Sequence, residues 1–146
     1  MAVVVTCDPG SWLEATLTSL GAQDYPNFSV LVIDAASSED PTPRVASVLP
    51  RAYVYRLPDR VGFARAANEA LSIVEGASHY LFCHDDVALA PDVTRILLEE
   101  AFRSNAGVVA PKLVEWDRPD RLLSVGQSVD KTGVGARLVD RGELDQ

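Results

Sequence analysis

The chain has 146 residues, 47% of them hydrophobic and 23% charged, which suits one domain with a real core and excludes a disordered chain. Its formal net charge of -8 and sequence pI of about 4.6 argue against general nucleic-acid binding, because such a surface repels phosphate backbones, although a metal ion can reconcile acidic residues with a diphosphate. Two cysteines, Cys7 and Cys83, without CxxC spacing exclude a disulfide scaffold and a zinc ribbon, and no apolar run approaches the roughly 20 residues of a bilayer span, so a reduced, cytoplasmic chain is expected.

In chain order, Ala2-Val3-Val4-Val5-Thr6 reads as a buried strand broken by Asp8-Pro9-Gly10. Ser11 and Glu14 have the spacing of a capping box, and Leu13, Leu17 and Leu20 give the helix that follows one apolar face. Phe28 to Ile33 predicts a second buried strand ending at Asp34, and a short helix is expected over Pro43 to Val48. Tyr53-Val54-Tyr55 predicts a third strand, and Gly62 to Val74 a helix. Tyr80 to Cys83 predicts a fourth strand running into His84-Asp85-Asp86. Pro91 fits the first turn of a helix whose buried face is built by Ile96, Leu97, Ala101 and Phe102, and Val108-Val109-Ala110 reads as a fifth strand. From Lys112 onward, Gly126, Gly133 and Gly135 punctuate short apolar pairs, predicting hairpins or loops. The expected domains are residues 1–112, an α/β domain, and 113–146, its irregular extension. The strand starting at residue 2 and the charged ending over Arg137 to Gln146 lead us to expect an excised or truncated chain.

Alternation of strands and helices through about residue 110 predicts an α/β three-layer sandwich with a mostly parallel, Rossmann-like sheet. Ligands of such sheets bind beyond the carboxyl ends of the strands, where Asp8, Asp34 and the pair Asp85-Asp86 all fall. Adjacent carboxylates at a strand end suit Mg²⁺ or Mn²⁺ bridged to phosphates; the alternative is that Asp86 or a neighbour caps a turn. Asp34 can accept hydrogen bonds from a base or ribose, or close an Asx-turn with Ala36 or Ser37. Arg60, Gly62 and Arg65 flank a helix start, a place that favours phosphate, unless the arginines are merely solvated. The spacing of Cys7, His79, Cys83 and His84 matches no zinc pattern, and no G-x-S-x-G, Walker A or G-x-G-x-x-G sequence follows the first strand.

Together, Val3-Val4-Val5-Thr6-Cys7-Asp8, Gln23-Asp24-Tyr25-Pro26, Val32-Ile33-Asp34-Ala35-Ala36-Ser37, Gly62-Phe63-Ala64 with Asn68, and Phe82-Cys83-His84-Asp85-Asp86-Val87 resemble the family 2 glycosyltransferases of the GT-A fold, over about residues 2 to 112. No single motif decides; their order and spacing together are specific. The resemblance implies an inverting transfer from a nucleotide-sugar donor, a UDP-sugar, with Asp34 binding the base, usually uracil, and the backbone around Thr6, Cys7 and Asp8 lining the same pocket. It implies Asp86 as the ligand of Mn²⁺ or Mg²⁺, and Asp85 against ribose or the donor sugar. It implies an unidentified glycan or lipid-linked acceptor and, for a full-length protein, a place at the inner face of the cell membrane.

This chain also departs from the family pattern. His84 stands at the first acidic position of the D-x-D-type motif, Arg60 where Asn is frequent, Asp8 in place of a common Asn, and Ala35-Ala36 in place of Asn-Gly. The catalytic base that the resemblance implies lies in an E-D segment, and Glu143-Leu144-Asp145 lacks that context. Donor binding without full turnover is therefore expected of this chain. The competing readings are a non-catalytic interaction domain on the same fold and a nucleotidyltransferase, the latter disfavoured because Cys7 to Ser11 contains no basic residue.

Overall fold

The structure, a computed structural model, describes residues 1–140 and 142–145. Compactness divides the chain into two units, Met1–Arg95 and Ile96–Gln146.

The first unit is built on four strands, β1 (Ala2–Thr6), β2 (Val30–Asp34), β3 (Tyr53–Arg56) and β4 (Leu81–His84). All pair in parallel, in the order β3-β2-β1-β4. The two central strands, β1 and β2, are buried at every residue. Strands covered on both faces need an unbroken apolar run rather than alternation, and Ala-Val-Val-Val and Val-Leu-Val-Ile supply it. The helices are α1 (Leu13–Gly21), α2 (Thr42–Val48), α3 (Phe63–Ile73) and α4 (Val93–Ser104), the last straddling the division between units.

Side-chain alternation along the strands sorts the core into two layers. Ala2, Val4, Val30 and Val32 face Leu13, Leu17 and Leu20 of α1 and Val45 of α2. Val3, Val5, Leu31 and Ile33 face the small residues Ala66, Ala67 and Ala70 of α3, which let that helix lie close to the sheet. Helices thus cover both faces, giving the expected three layers. Chain direction across the sheet reverses between β1 and β4: β1, β2 and β3 step one way, and the chain then returns past β1 to place β4.

Gln23 fastens the end of α1 to the chain around Pro91. Its Nε2 donates to the carbonyls of Ser19 (3.1 Å) and Ala90 (2.9 Å). Its Oε1 accepts from the backbone N–H and hydroxyl of Thr94 at 3.0 and 2.7 Å. Asp24 adds a backbone bond to the Pro91 carbonyl and an ion pair with Arg95 at 3.1 Å.

The second unit contains two antiparallel hairpins, β5 (Leu113–Val114) with β6 (Leu122–Ser124), and β7 (Gln127–Val129) with β8 (Gly135–Arg137), as the glycine punctuation predicts. Asp130 closes the second turn: its Oδ1 accepts the Thr132 and Val134 N–H groups at 2.8 and 3.0 Å, with Gly133 at a φ of 86°.

Three expectations fail. Ser11 makes no capping bond: α1 starts at Leu13 with Trp12 as its N-cap, and Glu14 is committed instead to a stronger two-pronged pairing with Arg44. No strand forms at Val108-Val109-Ala110. That run sits between Gly107 and Pro111, three residues after Asn105 at a φ of 51°, and Val108 is 89% exposed. The apolar stripe of α4 is also not a buried face: Ile96 is 47% and Phe102 75% exposed. Helical periodicity marks such a stripe, but only a packed layer buries it, and hairpin strands of two or three residues offer little area.

Thr16 sits in the α1 layer fully buried, and its hydroxyl has no hydrogen-bond partner among the described residues. Replacing it with valine should raise unfolding free energy by about 1 kcal/mol, by removing an unsatisfied polar group. Leu17→Ala, at a fully buried site, should lower it by roughly 2–5 kcal/mol. Urea denaturation of the three proteins checks both signs.

Candidate functional site

The carboxyl rim of the sheet carries the polar side chains that the buried strands cannot. Thr6, Asp34 and Arg56 are the last residues of their strands and are register partners, so they share one face at one level. His84 closes β4, and Asp85 follows it. The hydroxyl of Thr6 donates to Oδ2 of Asp85, tying the end of β1 to the turn after β4 at the reversal point of the sheet. Open α/β sheets bind ligands in the crevice at this point, because the loops there diverge to opposite faces.

Asp34 is fully buried and fully engaged. Its Oδ1 accepts the Ser37 N–H at 3.1 Å and the Ser37 hydroxyl, so that of the two readings open for Asp34 the turn with Ser37 is present. Its Oδ2 accepts Nε of Arg56 at 2.7 Å. Arg56 also donates to the Ser37 carbonyl at 3.0 Å and stands 3.7 Å from the Asp40 carboxylate. A carboxylate with no exposure needs such partners, since uncompensated burial of a charge is prohibitive.

Asp8 joins three loops. Its backbone, at a φ of 51°, donates its N–H to Ser37 Oγ at 2.7 Å. Its Oδ1 accepts the Ser38 N–H at 2.7 Å, and its Oδ2 pairs with Arg60. The β1–α1, β2–α2 and β3–α3 loops therefore meet on one residue. Bonds from Ser38, and then the Arg60 charge, hold the Asp8 carboxyl below the ordinary carboxylate range. Cys7 beside it donates its thiol to the Ala35 carbonyl at 3.2 Å.

Arg44 braces the same rim from α2. It grips Glu14 at 2.7 and 2.9 Å and donates to the Pro9 and Gly10 carbonyls at 2.9 and 2.7 Å. Glu14 holds the Arg44 charge more firmly, raising its pKa. An open cleft of about 320 Å³ lies here, lined by Asp8, Pro9, Ser38, Glu39, Asp40, Pro41 and Arg44. Sequence reasoning missed Arg44 and Arg56. Their partners are 30 and 22 positions away, so no local spacing reveals them.

Gly62 is the N-cap of α3 in extended conformation, so Arg60 and Arg65 do flank that helix start, and both are exposed. Phe63 stacks on the His84 ring with centroids 4.1 Å apart, which gives the histidine at the motif position an aromatic neighbour. Asp86 is exposed. Among the described residues, no three His, Cys, Asp or Glu side chains gather into a metal cage. Asp85 has its Oδ2 bonded to Thr6, and carboxylate oxygens such as those of Asp85 and Asp86 are the donor type that Mg²⁺ and Mn²⁺ take.

Two pH-linked outcomes follow from these environments. The depressed Asp8 carboxyl stabilises the loop junction fully above its unfolded pKa of about 3.9, and that contribution is lost as pH falls through the lower folded value. The NMR shift of the Ser38 amide should therefore titrate with a midpoint below about 3.9, and Asp8→Asn should abolish the step. Cys83 is the opposite case: burial, and then the Asp85 charge, push its thiol up to about 12. At pH 8 a free thiol of pKa about 8.5 is roughly one-quarter thiolate, so Cys83 should label more than about a hundredfold slower in the native than in the urea-unfolded chain.

Comparison with known proteins matches this chain to the model described as "Glycosyl transferase family 2" over residues 1–136. No curated protein matches it. Among solved structures, S. aureus TarS is similar at 21% identity with a TM-score of 0.62, over 75% of this chain and 22% of that one. TarS 1–349 in complex with UDP is similar at 23% identity and a TM-score of 0.60, and in complex with UDP-GlcNAc at 22% and 0.61. Both matches cover 75% of this chain and 37% and 36% of TarS 1–349. At these identities the likeness shows a shared fold, the GT-A type, and the chain spans well under half the length of those proteins.

Proposed function

The chain belongs to glycosyl transferase family 2, and on that premise we propose that it binds the donor, a UDP-sugar, of a transfer reaction that inverts the sugar's anomeric centre. The observation that carries this reading is the Thr6–Asp85 bond at the reversal point of the sheet. It ties Asp85 to the end of β1, whose register neighbour at the end of β2 is Asp34, and this supports a nucleoside end and a phosphate end along one rim.

Thr6, Cys7 and Asp8 form the nucleoside end, and the buried Asp34 holds Ser37 and Arg56 in place there. Asp85 faces ribose or the donor sugar. Arg60, Gly62 and Arg65, at the start of the 11-residue helix α3, serve the diphosphate through guanidinium charge and free helix N–H groups. Phosphate there competes with Asp8 for Arg60. Asp86 is the ligand proposed for Mn²⁺ or Mg²⁺, which when bound offsets the charge developing on the leaving diphosphate. The uridine nucleotides bound to TarS support a uridine donor for this chain.

Completing the transfer requires a base for the acceptor hydroxyl. The two acidic residues of Glu143-Leu144-Asp145 are engaged within the fold: Asp145 pairs with Lys112, and Glu143 accepts the Asp140 N–H at 3.1 Å. We therefore assign donor binding without complete turnover to this chain. The acceptor class proposed is a glycan or lipid-linked molecule at the inner face of the cell membrane. Among the described residues no helix is long and apolar enough to cross a membrane.

Calorimetric titration with UDP should show binding that strengthens at least tenfold on adding Mn²⁺. Asp86→Ala should remove that metal dependence while leaving the melting temperature within error, because the residue is exposed. A folded wild-type sample that binds UDP equally with and without metal would overturn the assignment of Asp86, and one that binds no nucleotide would overturn the donor reading.

A further inference from the structure

Asp34 is not the surface that a ligand meets. It has no exposure, and its two oxygens are taken by Ser37 and Arg56. Arg56 lies over it with its side chain 40% exposed. Of the five guanidinium N–H groups, the structure places two in hydrogen bonds among the described residues, one from Nε to Asp34 and one to the Ser37 carbonyl. The remaining nitrogen has only the Asp40 carboxylate, at 3.7 Å, beyond hydrogen-bond reach. Asp40 itself lines the open cleft. Arg56 is thus a held, planar group with unspent donors at the level of Thr6 and Asp34.

Building on the donor-site reading above, we propose that Arg56, rather than Asp34, is the group that contacts the nucleobase, and that it selects a base presenting a carbonyl oxygen. Guanidinium has donors and no acceptor, so it pairs with the O4 carbonyl of uracil and is mismatched with the amino group that cytosine carries at the same position. A site built to hydrogen-bond one atom discriminates strongly against an analogue that cannot pair, since the site's own polar group is left unsatisfied. Asp34 then acts as a positioning residue. It fixes the plane of Arg56 through Nε, and Ser37 fixes Asp34.

Calorimetric titration with UDP, CDP and inorganic pyrophosphate tests this on the chain as it stands. The wild type should bind UDP at least tenfold tighter than CDP. Arg56→Gln supplies both a donor and an acceptor and should bring that ratio close to one, leaving pyrophosphate affinity unchanged. Should loss of the charge partner unfold that variant, Asp34→Asn/Arg56→Gln replaces the buried ion pair with two neutral amides, and the same ratio is expected of it. An unchanged UDP-to-CDP ratio in either folded variant would overturn the proposal. So would an equal loss of UDP and pyrophosphate affinity, which would assign Arg56 to the phosphates. Failure of the folded wild type to bind any of the nucleotides would instead remove the donor site on which the proposal rests.

Discussion

Burial of one carboxylate organises the rim of this protein. Strand β2 is covered on both faces down to its last residue, and that residue is Asp34. A charge in that position requires compensation within hydrogen-bond reach, and loss of one partner of such a pair costs several kcal/mol where solvent is excluded, less here because Arg56 is half-exposed. The demand is met from two directions, by Ser37 in the following turn and by Arg56 at the end of the neighbouring strand. Meeting it fixes the β2–α2 loop against β3. That loop then receives Asp8 through Ser37 and Ser38, and Asp8 in turn receives Arg60. The order of the site is therefore inherited from the order of the core.

Much of the architecture is readable from local pattern, for identifiable reasons. Val3-Val4-Val5 and Val30 to Ile33 admit one interpretation because an apolar β-branched run of that length is a fully covered strand. Leu13, Leu17 and Leu20, and Ala66, Ala67 and Ala70, mark the helix faces that cover them. Local pattern fails where the deciding partner is distant. Glu14 has capping spacing, yet a guanidinium 30 residues away outcompetes the cap. Val108 has strand composition, yet no neighbouring strand receives it among the described residues. Phe102 has helix-face spacing but stays exposed.

The site divides in the same way. Acidic residues at strand ends are visible in the sequence because strand ends are, so Asp8, Asp34 and Asp85-Asp86 are legible there. What they bond to is not. The sequence leaves two readings open at Asp34, and the turn is the one present; Arg56, which takes its other oxygen, has no local signature. Family resemblance gave the order of motifs and the match over residues 1–136 gives membership, but neither conveys that Asp34 is sealed beneath Arg56.

The meeting of three loops on Asp8 has a consequence for how such a protein can change. Loops at a sheet rim ordinarily vary in length at little cost, which is how one scaffold acquires new ligands. Here the β1–α1 loop is clamped twice, by Asp8 to the two loops beside it and by Arg44 through the Pro9 and Gly10 carbonyls. An insertion on either side of Asp8 would pull apart all three at once. New ligand preferences on this rim must therefore arise by exchange of side chains within a fixed backbone, or by growth elsewhere in the chain, and not by lengthening the loop that opens the site.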